Sequence, residues 1–303
     1  MRAIAEQIYS IKQVTSIKSL LSPTNSKFIL ISVFIAIISA CSFKSIYNNL
    51  DYYIPSYVEG MVSLDGMLEE QVEQRTQLLI NWHRNTQLKQ YAELLRIYQQ
   101  DFGPQLSEER VSQHMATMES LWQPLAEKLS EEMTVLLPLL NNQQLDELFE
   151  SIDDKNEDFY DDYVDLDKEE LIETYIESLF NNYENWLGDL TGQQEQFIEK
   201  AAYKFHSSAH LRLQQRKQWQ QSMRQILYSP DDAEIKSERL RALFRTFTTE
   251  ENIALAAADE ANKQVIAWLT VKLVHSATAE QKDYFINKTG DYIRIFTELA
   301  EGR

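Results

Sequence analysis

The sequence predicts an all-α protein, an irregular multi-helix bundle of about nine to eleven helices that is either compact or elongated. Three observations predict this class. The chain has only seven Gly and six Pro in 303 residues, so few positions break a helix. Apolar side chains recur at spacings of three and four residues, and no run alternates with the period of two that a strand requires. Because no Pro- or Ser-rich linker divides residues 41–303, we expect them to form one helical domain.

Four helices are predicted between residues 42 and 125. Residues 42–62 are apolar and aromatic, and Pro55 is expected to bend them. The sequence 102–104, Phe-Gly-Pro, stops a helix, and Ser107 starts the next one. The apolar stripes of this region are Leu68, Val72, Leu79 and Trp82, then Leu88, Tyr91, Leu95 and Tyr98, then Val111, Met115, Met118, Trp122 and Leu125.

Later helix starts share one pattern, the capping box. In it a Ser, Thr, Asp or Asn cap and a Glu or Gln three residues on bond to each other's backbone N–H groups. Apolar spacing predicts helices within 198–227, 240–247, 253–269 and 285–299. Pro124 and Pro138 are expected to limit or kink the helix before the first box. The pairs that fit the pattern are Asn141 with Gln144, Thr191 with Gln194, Thr248 with Glu251, and Thr278 with Gln281.

An uncharged apolar stretch lies near the start of the chain, at residues 28–40. As a helix it would extend about 20 Å, less than the hydrocarbon core of about 30 Å that a membrane span must cross. The preceding flank carries four basic residues against the single acidic residue Glu6. Those basic residues are Arg2, Lys12, Lys18 and Lys27. This length and charge polarity are typical of a signal peptide.

The end of that stretch, Ile38-Ser39-Ala40-Cys41, resembles a bacterial lipobox. Small residues let a peptidase seat the backbone, and the thiol receives the diacylglycerol. Cys41 is the only cysteine, so no disulfide competes for it. We expect residues 1–40 to be a lipoprotein signal peptide cleaved between Ala40 and Cys41, with palmitate-bearing lipid on Cys41. An ordinary signal peptide or a short uncleaved anchor are the alternatives.

The charge of the remaining chain limits its partners. The first 40 residues hold four of the 29 Lys and Arg and one of the 47 Asp and Glu, so 25 basic and 46 acidic residues remain, a formal net charge of −21. Such a charge disfavours nucleic acid and anionic surfaces, and it suits cations or a basic protein surface. The many aromatic residues, 15 Tyr and 13 Phe, argue against a disordered acidic chain.

Several short motifs resemble, in their order, a family of Gram-negative lipoproteins of unknown function. They are Tyr47-Asn48-Asn49-Leu50-Asp51, residues 58–65, Trp82-His83-Arg84 with Leu88 and Tyr91, Asn156 with Phe159 and Asp162-Tyr163, and Trp186-Leu187-Gly188-Asp189-Leu190-Thr191. The resemblance covers most of residues 41–227 and implies a lipidated helical envelope protein without an assigned activity. The family pattern is rich in Arg before the Trp-Leu-Gly motif, whereas residues 169–177 are acidic here. A role for basic residues in that segment therefore does not transfer.

An acidic tract occupies residues 146–177, with 15 carboxylates against Lys155 and Lys168. Asp154, Asn156 and Asp158 fit the first ligand positions of an EF-hand loop, but Phe159 stands where that loop needs Gly and Asp165 where it needs Glu. The interleaved aromatic residues instead favour an amphipathic helix with a solvated acidic face. Weak cation binding is the alternative.

Three histidines are the remaining candidates for chemistry. His206 and His210, four residues apart, would share a helix face as a metal pair requires, but no Glu follows His206 and no third ligand is evident. A structural or surface pair is therefore the favoured interpretation. His83 is expected to join an inter-helix hydrogen-bond network with Asp51, Glu59 or Asp65 rather than to act as a general base.

The function that these patterns favour is a lipid-anchored lipoprotein of the outer membrane, facing the periplasm and presenting a non-catalytic helical surface. The residue after the cysteine is Ser42, and a serine at this position resembles the sequence of lipoproteins sorted to the outer membrane. The alternatives are a periplasmic chaperone or assembly factor, and a cation-binding protein or metal-assisted enzyme. No catalytic residue, metal or cofactor is predicted. The expected partners are the membrane, through Cys41, and an envelope protein.

Replacing the lipobox cysteine tests the predicted processing. Cys41→Ser is expected to abolish lipidation and leave an uncleaved precursor, because a hydroxyl is a much poorer nucleophile than a thiolate. Metabolic labelling with a fatty acid and the mass of the mature chain measure both effects. Ser42→Ala, which keeps the thiol, is the matched control and should be processed. Normal cleavage of the serine variant would contradict the lipobox interpretation.

Overall fold

The computed structural model describes residues 40–249 and 252–303, and these fold into twelve α-helices without a strand. The all-α prediction is confirmed for this part of the chain. The helices are α1 Ala40–Asn48, α2 Leu50–Glu59, α3 Gly66–Thr86, α4 Leu88–Asp101, α5 Glu108–Leu136, α6 Asn142–Tyr163, α7 Lys168–Leu187, α8 Gly192–Ala202, α9 Ala209–Leu227, α10 Ala233–Thr249, α11 Ile253–His275 and α12 Ala279–Ala300.

The helix count exceeds the predicted range because the segment 42–62 divides in two. The break falls at Asn49, whose backbone leaves the helical region and whose side-chain amide donates to the Ser45 carbonyl. Pro55, the expected bend, lies inside α2. Pro124 is likewise inside the 29-residue α5, while Pro138 belongs to the 3-10 turn Leu137–Leu139 that follows it.

Capping boxes start three of the helices as predicted, at Asn141, Thr191 and Thr278. A fourth box, which the sequence analysis missed, pairs Asp167 with Glu170 at the start of α7. The predicted box at Thr248 is wrong, because Thr248 lies within α10, and its partner Glu251 lies outside the described residues. α11 is capped instead by the Asn252 side chain, which accepts from the N–H groups of Ala254 and Leu255.

Helix α12 packs antiparallel to α4 and forms the first part of the core. The Gln99 side-chain amide donates to the Ile286 carbonyl at 3.0 Å and to the Thr289 hydroxyl at 2.8 Å. At the other end of the pair the rings of Tyr91 and Phe296 lie 6.0 Å apart. Helix α1 packs on the same two helices. The buried members of this cluster are Phe43, Tyr47, Leu88, Ala92, Leu95, Tyr292, Ile295, Phe296 and Leu299.

Two further buried clusters complete most of the core. One joins α7, α8 and α11 around Tyr175, Leu179, Ile198, Leu269 and Leu273. The other joins α6, α9 and α10, with the 3-10 turn, around Leu137, Leu145, Leu148, Phe149, Met223, Leu227 and Leu240. Most of the helices bury one apolar stripe and leave the other face to solvent, whereas α2 has no buried residue.

A buried pair of glutamines connects the start of α8 to the start of α12. Gln194 and Gln281 are 0% and 4% exposed, and each donates its amide to the other's carbonyl oxygen, at 2.9 and 2.8 Å. Both residues also serve in capping boxes, since each side-chain oxygen accepts from the backbone N–H of its own cap residue. The Gln281 amide donates further to the Asp189 carbonyl at 2.7 Å. One polar contact thus fixes two helix starts against each other.

Double substitution tests this coupling. Gln194→Leu is expected to destabilise the fold by about 1–3 kcal/mol, because it leaves one N–H of the buried Gln281 amide without an acceptor. Gln281→Leu should then destabilise the Gln194→Leu protein less than it destabilises the wild type, which gives an interaction free energy of about 1 kcal/mol or more in urea unfolding. Gln144→Leu combined with Gln281→Leu alters two separate boxes and should be additive. Additivity of the first pair would contradict the coupling.

Candidate functional site

Residues that carry the family resemblance meet where α1 contacts α3 and α4. The Tyr47 hydroxyl lies 2.9 Å from His83 Nδ1, and the Tyr91 hydroxyl lies 3.4 Å from His83 Nε2. The guanidinium of Arg84 lies 5.5 Å from the centre of the Tyr47 ring and donates to the Asn48 side chain at 3.2 Å. The inter-helix network predicted for His83 therefore exists. Its predicted acidic partners are wrong, because the contacts come from tyrosine hydroxyls.

The electrostatics of this cluster keep it uncharged apart from Arg84. Burial lowers the pKa of His83 to about 4, so the imidazole is neutral at pH 7. Burial also raises the pKa of Tyr47 to about 12, against the opposing effect of Arg84, and raises that of Tyr91 to about 12. A neutral imidazole held between two protonated hydroxyls is a hydrogen-bonded link between helices. This arrangement supports a structural role.

The helix that carries the predicted lipidation site is itself packed onto the bundle. Ala40 and Cys41 lie in the first turn of α1, and Phe43 and Tyr47 are 4% and 3% exposed. The Lys44 ammonium forms an ion pair with the Glu298 carboxylate of α12 at 2.7 Å. Cys41 is two residues before the buried Phe43, and two extended residues span at most about 7 Å. The Cys41 backbone therefore lies within that distance of the core.

Trp82 and Trp186 lie on apolar helical stripes, which predict largely buried side chains, but both are only half-buried. Trp82 lies next to the His83 cluster, with ring centres 6.4 Å apart. Trp186 packs on Tyr292 at 6.1 Å, and the Lys288 ammonium lies 5.6 Å from its ring centre. Each indole ring therefore lies at the edge of the side chains that it contacts.

The acidic tract forms two exposed helical surfaces, as the sequence predicts. Thirteen of its 15 carboxylates are exposed and none is buried. The ones on α6 share one side of the helix and are called the acidic face below. Its members are Asp146, Glu150, Asp153, Asp154, Glu157, Asp158 and Asp161. Two exposed aromatic side chains accompany the acidic face, Tyr160 in α6 and Tyr57 in α2, and the Lys155 ammonium lies 5.6 Å from the Tyr57 ring.

The segment that partly fitted an EF-hand is a continuous helix. Asn156 is 2% exposed and donates to the Gln220 side chain at 2.8 Å, so it points into the bundle. Asp154 and Asp158 are exposed on the opposite side. Within the described residues, no group of three or more His, Cys, Asp or Glu side chains could hold a metal ion.

The expected shared helix face of His206 and His210 is wrong. His206 lies in the loop before α9, which begins at Ala209, while His210 lies inside that helix. The buried Asn262 of α11 holds this loop: its side chain accepts from the His206 N–H at 2.8 Å and donates to the His206 carbonyl at 3.0 Å. A helix was predicted here because the spacing of apolar residues continued across the loop.

A cavity of about 210 Å³ lies among α4, α5, α7, α11 and α12. Its wall includes the Tyr183 and Thr270 hydroxyls, which lie 2.7 Å apart. Burial raises the pKa of Tyr183 to about 12, against the opposing hydrogen bond to Thr270. The wall consists of Tyr98, Asp101, Phe102, Leu106, Val111, His114, Met115, Met118, Tyr183, Trp186, Leu187, Ile266, Thr270, Leu273, Val274 and Phe285.

A partly exposed carboxylate, that of Asp101, lines the cavity beside His114 and Arg110. One oxygen of Asp101 lies 2.7 Å from His114 Nε2 and accepts from Arg110 Nε at 2.7 Å. Burial alone would raise the pKa of Asp101, but these hydrogen bonds outweigh it and lower the pKa. Burial lowers the pKa of His114 despite the neighbouring carboxylate. The Asp101 negative charge is thus balanced chiefly by Arg110.

Sequence analysis missed this cavity because its wall comes from five helices that are distant in the chain, and each wall residue reads there as ordinary core.

The fold and these contacts define an all-α multi-helix bundle with a packed amino-terminal helix, an acidic face and an apolar cavity. Residues 60–249, more than half of the chain, match a family of unknown function, DUF6279, and the protein belongs to that family. No curated protein and no solved structure matches the chain. Among residues 40–249 and 252–303, no helix combines the length and apolar character needed to cross a membrane.

The His83 cluster makes a pH dependence that can be measured. Because the pKa of His83 is about 4 in the folded protein and about 6.5 in an unfolded chain, only the unfolded chain gains a proton here between those pH values. The free energy of unfolding should therefore be fully retained above pH 6.5 and fall toward pH 4, by at most about 3 kcal/mol.

Urea unfolding of the wild type and of His83→Gln at several pH values between 4 and 7 measures this effect. The glutamine removes the titration and keeps a polar group between the two hydroxyls. The variant should lose less stability than the wild type across the window. Parallel curves for the two proteins would contradict burial of a neutral His83.

Proposed function

We propose that the protein is a lipid-anchored envelope protein that presents a non-catalytic helical binding surface. Residues 1–40 serve as its signal peptide, Cys41 carries the lipid, and residues 41–303 face the periplasm from the outer membrane. The lipobox-like sequence and the positive flank before it support the anchor. The proposal includes no catalytic residue and no cofactor.

The observation that carries the binding surface is the acidic face of α6. Its seven carboxylates lie on one side of a single helix, and all are exposed. Of these, Asp153 pairs with Arg224 at 3.0 Å and Asp146 accepts from the Tyr228 hydroxyl. Among residues 40–249 and 252–303, no ion pair involves Asp154, Asp158 or Asp161, so a basic partner would provide their cation.

The exposed tyrosines beside the acidic face give the surface a second kind of contact. Tyr57 is 62% and Tyr160 41% exposed. Tyrosine side chains combine a large apolar ring with a hydroxyl, and they are enriched in protein interfaces. A partner with basic and apolar side chains on one helix or strand would match both. We infer that the partner is a basic envelope protein.

A chaperone or assembly factor is the second candidate, and the same exposed tyrosines favour it. Carboxylates beside accessible aromatic rings would also hold basic or apolar segments of unfolded clients. The two functions differ in selectivity. A dedicated surface binds one partner as a folded protein, whereas a chaperone binds many unfolded chains and releases them on folding.

Neutralising part of the acidic face tests the proposed surface. The triple variant Asp154→Asn/Asp158→Asn/Asp161→Asn removes three exposed charges from it. We expect it to bind a Lys-rich helical peptide about tenfold more weakly than the wild type, since exposed charge pairs contribute about 0.2–1 kcal/mol each. Fluorescence anisotropy at low and moderate salt measures the affinity and its salt dependence.

The matched control changes the same number of exposed carboxylates on α7, Glu169→Gln/Glu173→Gln/Glu177→Gln. It alters the net charge equally but leaves the acidic face and its tyrosines intact. Its affinity should stay within about threefold of the wild type under the screening salt. Equal weakening by both triple variants would show that only net charge matters and would refute a defined surface on α6.

A further inference from the structure

We propose that the cavity among α4, α5, α7, α11 and α12 is a binding site for a small apolar ligand. The ligand class is a hydrocarbon chain or ring of about six to eight carbon atoms with a neutral polar end, since a cavity of about 150 Å³ accommodates benzene and this one is about 210 Å³. This inference is independent of the anchor and of the acidic face.

The chemistry of the wall selects hydrocarbon over water. A buried water needs two to four polar partners. Two hydroxyls of the wall, those of Tyr183 and Thr270, already bond to each other at 2.7 Å. The surrounding wall residues, such as Ile266, Val274 and Phe285, offer only apolar atoms from their side chains. Hydrocarbon therefore replaces poorly bonded water at little polar cost.

The rim gives the ligand an orientation. Asp101 is the lining carboxylate, its side chain is 26% exposed, and it bonds to the still more exposed Arg110. A polar end placed here remains near water while the hydrocarbon lies inward. Because Asp101 and Arg110 balance each other, a neutral group such as a hydroxyl or ester fits better than an ion.

One side of the cavity can adapt to the shape of its occupant. Met115 and Met118 of α5 both line the wall, and methionine side chains are unbranched and rotate easily. Trp186 and Phe285, whose rings are rigid, also line the cavity. A wall that combines flexible and rigid side chains suits a family of related apolar molecules better than a single rigid shape.

The ligand could be the acyl chain of a membrane lipid or a soluble small molecule. Mass spectrometry of lipids that remain with the purified full chain detects a bound acyl chain. Saturation-transfer NMR of the full chain in lipid nanodiscs, with octan-1-ol and with toluene as probes, detects binding of a soluble molecule. The same nanodiscs without protein report the background from partition into the bilayer.

Cavity-filling variants isolate the site from that background. Val274→Phe places a ring into the cavity and should reduce the protein-dependent signal of octan-1-ol and toluene at least fivefold. Ile152→Phe introduces the same ring at a half-buried position in the α6–α9–α10 cluster and should leave the signal unchanged. If Val274→Phe fails to fold by circular dichroism, Ile266→Phe, from the same helix, decides the result.

Each outcome bears on the proposal. A signal that both small probes share and that Val274→Phe loses supports the site with a soluble ligand. A co-purified lipid that only the filled variant lacks supports the site with an acyl chain. Equal signals from the wild type and the filled variant, or no signal above empty nanodiscs together with no retained lipid, would overturn the proposal. If neither probe signal nor retained lipid is found, a side chain of a partner protein would be the remaining occupant of the cavity.

Discussion

The position of helix α12 depends on the buried glutamine pair, and much of the structure depends on α12. Gln194 and Gln281 are fully satisfied only by each other and by nearby backbone groups, so the starts of α8 and α12 can meet in one register. From that start α12 runs antiparallel to α4, and Gln99 fixes the pairing midway. Along α12, Phe285 lines the cavity, and Phe296 packs against the Phe43 ring of α1. One polar contact thereby positions both the cavity wall and the docking surface of the amino-terminal helix.

The packing of α1 links the proposed anchor to the rest of the protein. Phe43 and Tyr47 insert into the α4–α12 interface, and the Tyr47–His83 contact ties α1 to α3 as well. The motif residues Tyr47, His83 and Tyr91 therefore hold α1 against α3 and α4. If Cys41 carries a lipid, the bundle is held against the bilayer without a spacer, and the acidic face occupies a fixed place relative to the membrane. A partner would then have to be recognised close to that surface.

The sequence predicts the local features well and the long-range ones poorly. The capping box at Thr191 and the exposed acidic helix were both predictable, because each depends on residues within one or two turns. The loop at His206 was not, because Asn262, 56 residues later, supplies the hydrogen bonds that hold it open. The tyrosine partners of His83 and the cavity also escaped prediction. Both arise where distant helices meet, and a residue such as Val274 gives the same local signal in a filled core as at a cavity wall.

The proposed anchoring of the bundle at Cys41 depends most directly on α1 being packed as an integral part of it, and amide hydrogen exchange of the full chain measures this packing. If α1 is packed as described, the amides of Tyr47 and Asn48 should exchange only through opening that also involves α12. Their protection should then lie within about tenfold of that in the Tyr292–Phe296 segment, a difference of about 1.4 kcal/mol in opening free energy. Exchange of the α1 amides near the rate of an unprotected chain, while α12 stays protected, would contradict the account.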